Sequence, residues 1–115
     1  MNGPKAFALA LLVLAVGGCN RPISDPEALT AVRREALTLM KTHPLSNVPE
    51  RDWPTDIASL RPEAVTIQGW GVDITTKRHF DEGWGYDVPR NKADLPMPAS
   101  CYSEPSQGVF WHGPC

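Results

Sequence analysis

With 115 residues, 11 basic and 13 acidic side chains, a formal net charge of −2 and 42% hydrophobic residues, the chain has material for one small domain. Neither charge sign runs in a block, so the basic stripe that a nucleic-acid partner calls for is missing and no nucleic acid is expected. A domain of this size buries a modest core and sits where covalent staples begin to matter.

Residues 1–18 have the build of a secretory signal: Lys5 in a short leading region, an apolar run from Ala6 to Val16, and Gly17 and Gly18 before Cys19. The run is about 11 residues long, where a bilayer-spanning helix needs about 20. It therefore reads as a cleaved signal, not a span. The stretch Ala15-Val16-Gly17-Gly18-Cys19 resembles a bacterial lipobox, in which the signal is cut before the cysteine and the new N-terminus is lipidated. The resemblance implies a membrane-lipid anchor on Cys19, held by more than one acyl chain because a single chain binds only marginally. Asn20 is not the aspartate with which such lipoproteins stay in the inner membrane. In a Gram-negative envelope this implies outer-membrane sorting, with the domain facing the periplasm. The chain then divides into a signal peptide (1–18), a lipidated tether (19–25) and a single domain (26–115).

Asp25-Pro26 opens the clearest helix, with proline at the first helical position and Ser24 three residues before Glu27 as a capping box. Leu29, Val32, Ala36, Leu39 and Met40 follow as one stripe at helical spacing. Pro44 ends the helix near Thr42 or His43, since proline disfavours helical geometry in the residue before it. After a proline-containing connection over residues 44–52, Trp53, Ile57 and Leu60 repeat at i, i+4 and i+7 and predict a second, short helix stopped by Pro62. The segment over residues 53–65, W-P-x-x-I-x-x-L-x-P-x-x-V, resembles a group of small proteobacterial lipoproteins, and with the strands after it the resemblance covers about half of the mature chain. It implies no particular activity.

Beyond Pro62 the period turns from helical to alternating. Val65 and Ile67, then Val72 and Ile74, flank Gln68-Gly69-Trp70-Gly71 and predict a hairpin. Trp84, Tyr86 and Val88 predict another strand with these residues on one face, ended or placed at an edge by Pro89. Residues 91–98 read as a loop, and Val109-Phe110-Trp111 as a last short strand. The expected fold is α+β: one long N-terminal helix and a short second helix packed on a three- to four-stranded antiparallel sheet.

With Cys19 acylated, Cys101 and Cys115 remain as a pair in an oxidising compartment, and a disulfide is expected. His112 lies close to Cys115 in sequence, but a structural zinc wants four ligands at tighter spacing, so neither a metal nor any other cofactor is expected. The sharpest local feature is a near repeat fourteen residues apart, Gly69-Trp70-Gly71-Val72-Asp73-Ile74 and Gly83-Trp84-Gly85-Tyr86-Asp87-Val88. Its tryptophans offer flat faces for sugar rings, and Asp73 and Asp87 offer acceptors for hydroxyls. Strand starts with core tryptophans would give the same pattern. His79 stands beside Asp81 and Glu82, which would suit a general base, yet the segment Thr76-Lys77-Arg78-His79-Phe80-Asp81-Glu82-Gly83 reads more simply as a solvated charged turn. No recognised catalytic motif is present, and no enzyme is expected. The chain reads as an envelope lipoprotein that binds another envelope protein, as an assembly factor or an inhibitor or immunity protein, with Trp70, Trp84 and Trp111 as its binding residues. A glycan- or peptidoglycan-binding module built on the two Gly-Trp-Gly segments is the alternative, and a small hydrolase the third reading.

Overall fold

Pro26–Thr42 forms the long helix, α1. The structure is a computed structural model that describes residues 23–80 and 82–115. The signal peptide (1–18), the acylation at Cys19 and the tether as far as residue 22 lie outside the described residues. Proline occupies the first turn of α1, and the cap is Asp25, whose carboxylate accepts from the Glu27 amide at 3.1 Å. The Ser24 capping box expected from the spacing is therefore replaced by a cap one residue later. His43 closes the helix through its backbone N–H to the Leu39 carbonyl.

After α1 come strand β1 (Ser46–Asn47), a single 3-10 turn (Glu50–Asp52) and a short helix α2 (Thr55–Ser59). Helix α2 is shorter than the pattern from Trp53 to Pro62 predicts. Its first amides have no partner within the helix, and Glu35 of α1 supplies one: its two carboxylate oxygens accept from Asp56 N at 3.1 Å and Ile57 N at 2.8 Å. This fixes α2 against α1 and buries Ile57 in the core.

The rest is sheet. Strands β2 (Ala64–Ile67), β3 (Gly71–His79), β4 (Glu82–Pro89), β5 (Tyr102–Ser106) and β6 (Val109–His112) join β1 in one antiparallel sheet of order β1-β2-β3-β4-β6-β5. The α+β architecture with helices and an antiparallel sheet is present, but the sheet has six strands where three or four were expected. The two additions are edge strands, β1 within the proline-containing connection and β5 with Pro105 inside it. Strand β3 also runs through Thr76 to His79, so that stretch is paired with β4 and is not the solvated turn its charge suggests. A register shift between Thr75 and Lys77 marks a bulge in this hairpin.

One face of the sheet carries Val65, Ile67, Val72, Ile74, Tyr86, Val88 and Val109, and Leu29, Val32, Ala36 and Leu39 of α1 pack with them into a single core. Each side chain fully removed from water contributes about 1.5–3 kcal/mol. The Tyr86 hydroxyl reaches through this layer to the chain before α1, accepting from Ile23 N at 2.6 Å and donating to Ile23 O at 2.9 Å. Gly108 turns β5 into β6 with φ +78°, and a Cβ there would meet the Arg33 guanidinium at 2.4 Å.

Cys101 and Cys115 form a disulfide, with Cα atoms 5.9 Å apart, that ties the entry of β5 to the end of the chain. The Cys101→Ser/Cys115→Ser double variant should lose about 3 kcal/mol of stability, the chain-entropy value for a loop of this size. Equilibrium urea unfolding measures this: a fall in midpoint with an unchanged slope is the expected result.

Candidate functional site

Among the described residues, helix covers one face of the sheet, and the opposite face forms a cleft of ≈ 460 Å³. Alternation along the strands decides what lines it. Between the core residues Val72 and Ile74 stands Asp73, and between Tyr86 and Val88 stands Asp87, so both carboxylates point away from α1. The β3–β4 register makes Asp73 and Asp87 direct cross-strand partners. His112 reaches them from β6, where its own cross-strand neighbour is Gly85, a residue with no side chain to intervene. A Cβ at Gly85 would lie 2.2 Å from the Ile74 carbonyl oxygen, so the close approach of β3 to β4 beside the site requires glycine.

His112 Nε2 lies 3.6 Å from Asp87 Oδ1 and 3.8 Å from Asp73 Oδ1. The other oxygen of each carboxylate is held by a hydroxyl: Tyr102 donates to Asp87 Oδ2 at 2.8 Å and Thr75 to Asp73 Oδ2 at 2.8 Å. On the far side of the imidazole, Nδ1 donates to the Gly113 carbonyl at 3.3 Å. Asp87 is 2% exposed, and its Oδ1 is buried without a hydrogen-bond partner.

The electrostatics follow from this burial. Desolvation pushes the Asp87 carboxyl above the ordinary carboxylate range, with Asp73 adding to the rise and His112 opposing it. For Asp73, burial acts in the same direction but hydrogen bonds from His112, Asp87 and Thr75 outweigh it, and its pKa is lowered. Burial also works against charge on His112, yet the two carboxylates prevail and hold its pKa at about 10. Tyr102 is raised by burial and by the negative charge of Asp87 beside it.

The structure distributes the residues singled out in the sequence as follows. Asp73, Asp87 and Trp70 line the cleft. Trp84 is half-buried, with the His79 ring 5.6 Å away edge-on and Lys77 Nζ 5.7 Å from its own ring. Trp111 packs against the core and meets Tyr86 edge-on at 4.9 Å. The three tryptophans thus form no common patch. His79 is exposed at the end of β3, its ring 4.8 Å from Phe80. His112, read in the sequence beside the cysteines, faces the aspartates instead, and Tyr102 and Thr75 complete the cluster without having been marked by any motif. Their one sequence signal is position: each sits on the open-face register of its strand.

No protein-family model matches the chain, and neither a curated protein nor a solved structure matches it.

Tyr86 and Tyr102 are the chain's two tyrosines, and burial raises both above their ordinary value of 10.0. A raised folded-state pKa contributes stability that is present below the unfolded value and is lost as pH rises through the folded one. Absorbance at 295 nm should therefore show clearly less phenolate in the folded protein at pH 10 than in urea at the same pH, where about half of both rings is ionised. Half ionisation in the folded protein would remove the burial argument for this pair.

Proposed function

We propose that the chain is a lipid-anchored envelope protein, tethered through Cys19, whose domain binds a glycan in the cleft on the open face of its sheet, without catalysis. The observation that carries this reading is the convergence of two cross-strand carboxylates, Asp73 and Asp87, on the floor of a concave cleft of mixed polar and apolar lining beside Trp70. Asp73, whose side chain is 24% exposed above the buried Asp87, can accept from the hydroxyls that cover a sugar, and an indole offers the apolar face on which a pyranose ring lies. A hollow of ≈ 460 Å³ has the volume of a small-ligand site. The dispersal of Trp70, Trp84 and Trp111 speaks for this reading over an aromatic protein-docking patch.

Docking to another envelope protein has one observation in its favour. Phe80, at the β3–β4 turn, is 93% exposed and adopts φ 55°, which a bulky residue rarely does. An aromatic ring fully in water at a hairpin tip is the kind of anchor that interfaces use.

Titration with muropeptides, followed by tryptophan fluorescence, tests the glycan reading. The signal change should be lost and affinity weakened at least tenfold, about 1.4 kcal/mol, in Trp70→Ala, while Trp84→Ala keeps both binding and signal. No spectral change in the unmutated protein at saturating glycan would overturn it, and binding that instead falls in Phe80→Ala only for a protein partner would favour docking. The anchor is checked by mass: Cys19→Ala should lose the acyl chains.

A further inference from the structure

We infer that Asp73, Asp87 and His112 form a binding site for one divalent transition-metal ion, Zn²⁺ being the probe of choice, at the floor of the open-face cleft. The three residues each offer one ligand atom, and these atoms lie within 4.8 Å of one another. Zinc takes histidine nitrogen and carboxylate oxygen at about 2.0–2.2 Å, so two of its ligands in a tetrahedral shell stand roughly 3.4 Å apart. The separations of 3.6 Å and 3.8 Å from His112 Nε2 to the two carboxylates are within a few tenths of an ångström of that edge. Drawing all three atoms onto one ion takes a shift of about 1 Å or less, and Asp73, whose side chain is 24% exposed, is the member best placed to move.

Proximity of acidic groups alone would not carry this inference. What distinguishes the cluster is the way its outer partners have already assigned each ligand atom. Tyr102 occupies Asp87 Oδ2 and Thr75 occupies Asp73 Oδ2, which leaves Oδ1 of each carboxylate turned toward the imidazole. The Gly113 carbonyl can only accept, so His112 Nδ1 carries a proton and Nε2 is the nitrogen that offers a lone pair in the neutral ring. Hydroxyls on ligating carboxylates and a carbonyl on the far nitrogen of a ligating histidine are the outer contacts that orient metal ligands. Independently of these, Asp87 Oδ1 is buried in a residue 2% exposed and has no hydrogen-bond partner, a costly state that a bound cation relieves.

Charge gives the same answer. A protonated His112 places one positive charge against two carboxylates, whereas a divalent ion with neutral His112 balances them. The imidazole also selects among ions, since nitrogen suits zinc and its first-row neighbours, while calcium and magnesium favour all-oxygen shells. Three protein ligands leave zinc an open coordination position, and the cleft gives it access.

The site does not depend on glycan binding, and the two readings fail separately: a Zn²⁺ isotherm can be present or absent whatever muropeptides do. The test is calorimetric titration of ZnCl2 into the purified, untagged chain after treatment with chelator. One equivalent should bind. His112→Gln and Asp73→Asn should each weaken binding at least 100-fold, Tyr102→Phe by 10–100-fold as expected for an outer-shell partner, and Trp70→Ala should leave it unchanged. Because substitutions in a buried cluster can unfold the domain, a second measurement uses the unmutated protein. Imidazole resonances of the three histidines are followed as Zn²⁺ is added, and those of His112 alone should shift, with His43 and His79 unmoved. Absence of binding at 1 mM Zn²⁺, equal affinity for Mg²⁺, undiminished binding in folded His112→Gln, or a shift confined to His43 or His79 would each overturn the inference.

Discussion

The packing of a single helical stripe against a single face of the sheet governs everything else in this domain. Leu29, Val32, Ala36 and Leu39 cover the side of the sheet that carries Val72, Ile74, Tyr86 and Val88, and among the described residues no second long helix lies across the other side. Because side chains alternate along a strand, committing the even-numbered positions 72, 74, 86 and 88 to the core commits 73 and 87 to the open face. A register slip of one residue would bury two aspartates beneath α1, at a cost the domain could not meet. The core therefore fixes the position of the cleft residues more firmly than any contact among those residues does.

Much of this was legible in the chain. The stripe of α1, its proline start and its stop before Pro44 are local signals, and local signals survive folding. The β2–β3 hairpin and the face shared by Tyr86 and Val88 follow from alternation that tertiary packing reinforces. The edge strands escaped notice for a physical reason: β1 has two residues, both exposed, and β5 contains Pro105 and keeps Ser103 and Glu104 in solvent, so neither shows an apolar alternation. The charged run ending at His79 misled for a related reason, since the outer half of a hairpin that projects from the sheet is exposed and therefore polar like a loop.

The cluster was legible only in halves. The near repeat placed Asp73 and Asp87 at equivalent positions after Gly-Trp-Gly, and antiparallel pairing of the two copies set one opposite the other. That His112, Tyr102 and Thr75 join them depends on the β4–β6 and β5–β6 registers, which are set by long-range pairing and by the Gly108 turn. No spacing in one dimension encodes that meeting. The energetic character of the cluster is equally non-local, because Asp87 owes its burial to neighbours on three other strands. Such a group is held in place by the fold and does little to hold it.

The hydroxyl of Tyr86 closes on both backbone groups of Ile23, fastening the chain to the sheet just before α1 begins. Only four residue steps separate that clamp from Cys19. A peptide covers at most about 3.5 Å per residue, so under the proposed acylation the leash is no longer than about 14 Å. A domain held so closely cannot range through the space beside a bilayer. Under that acylation it would ride on the lipid surface with restricted tilt, and whatever enters its cleft would itself have to come to the membrane.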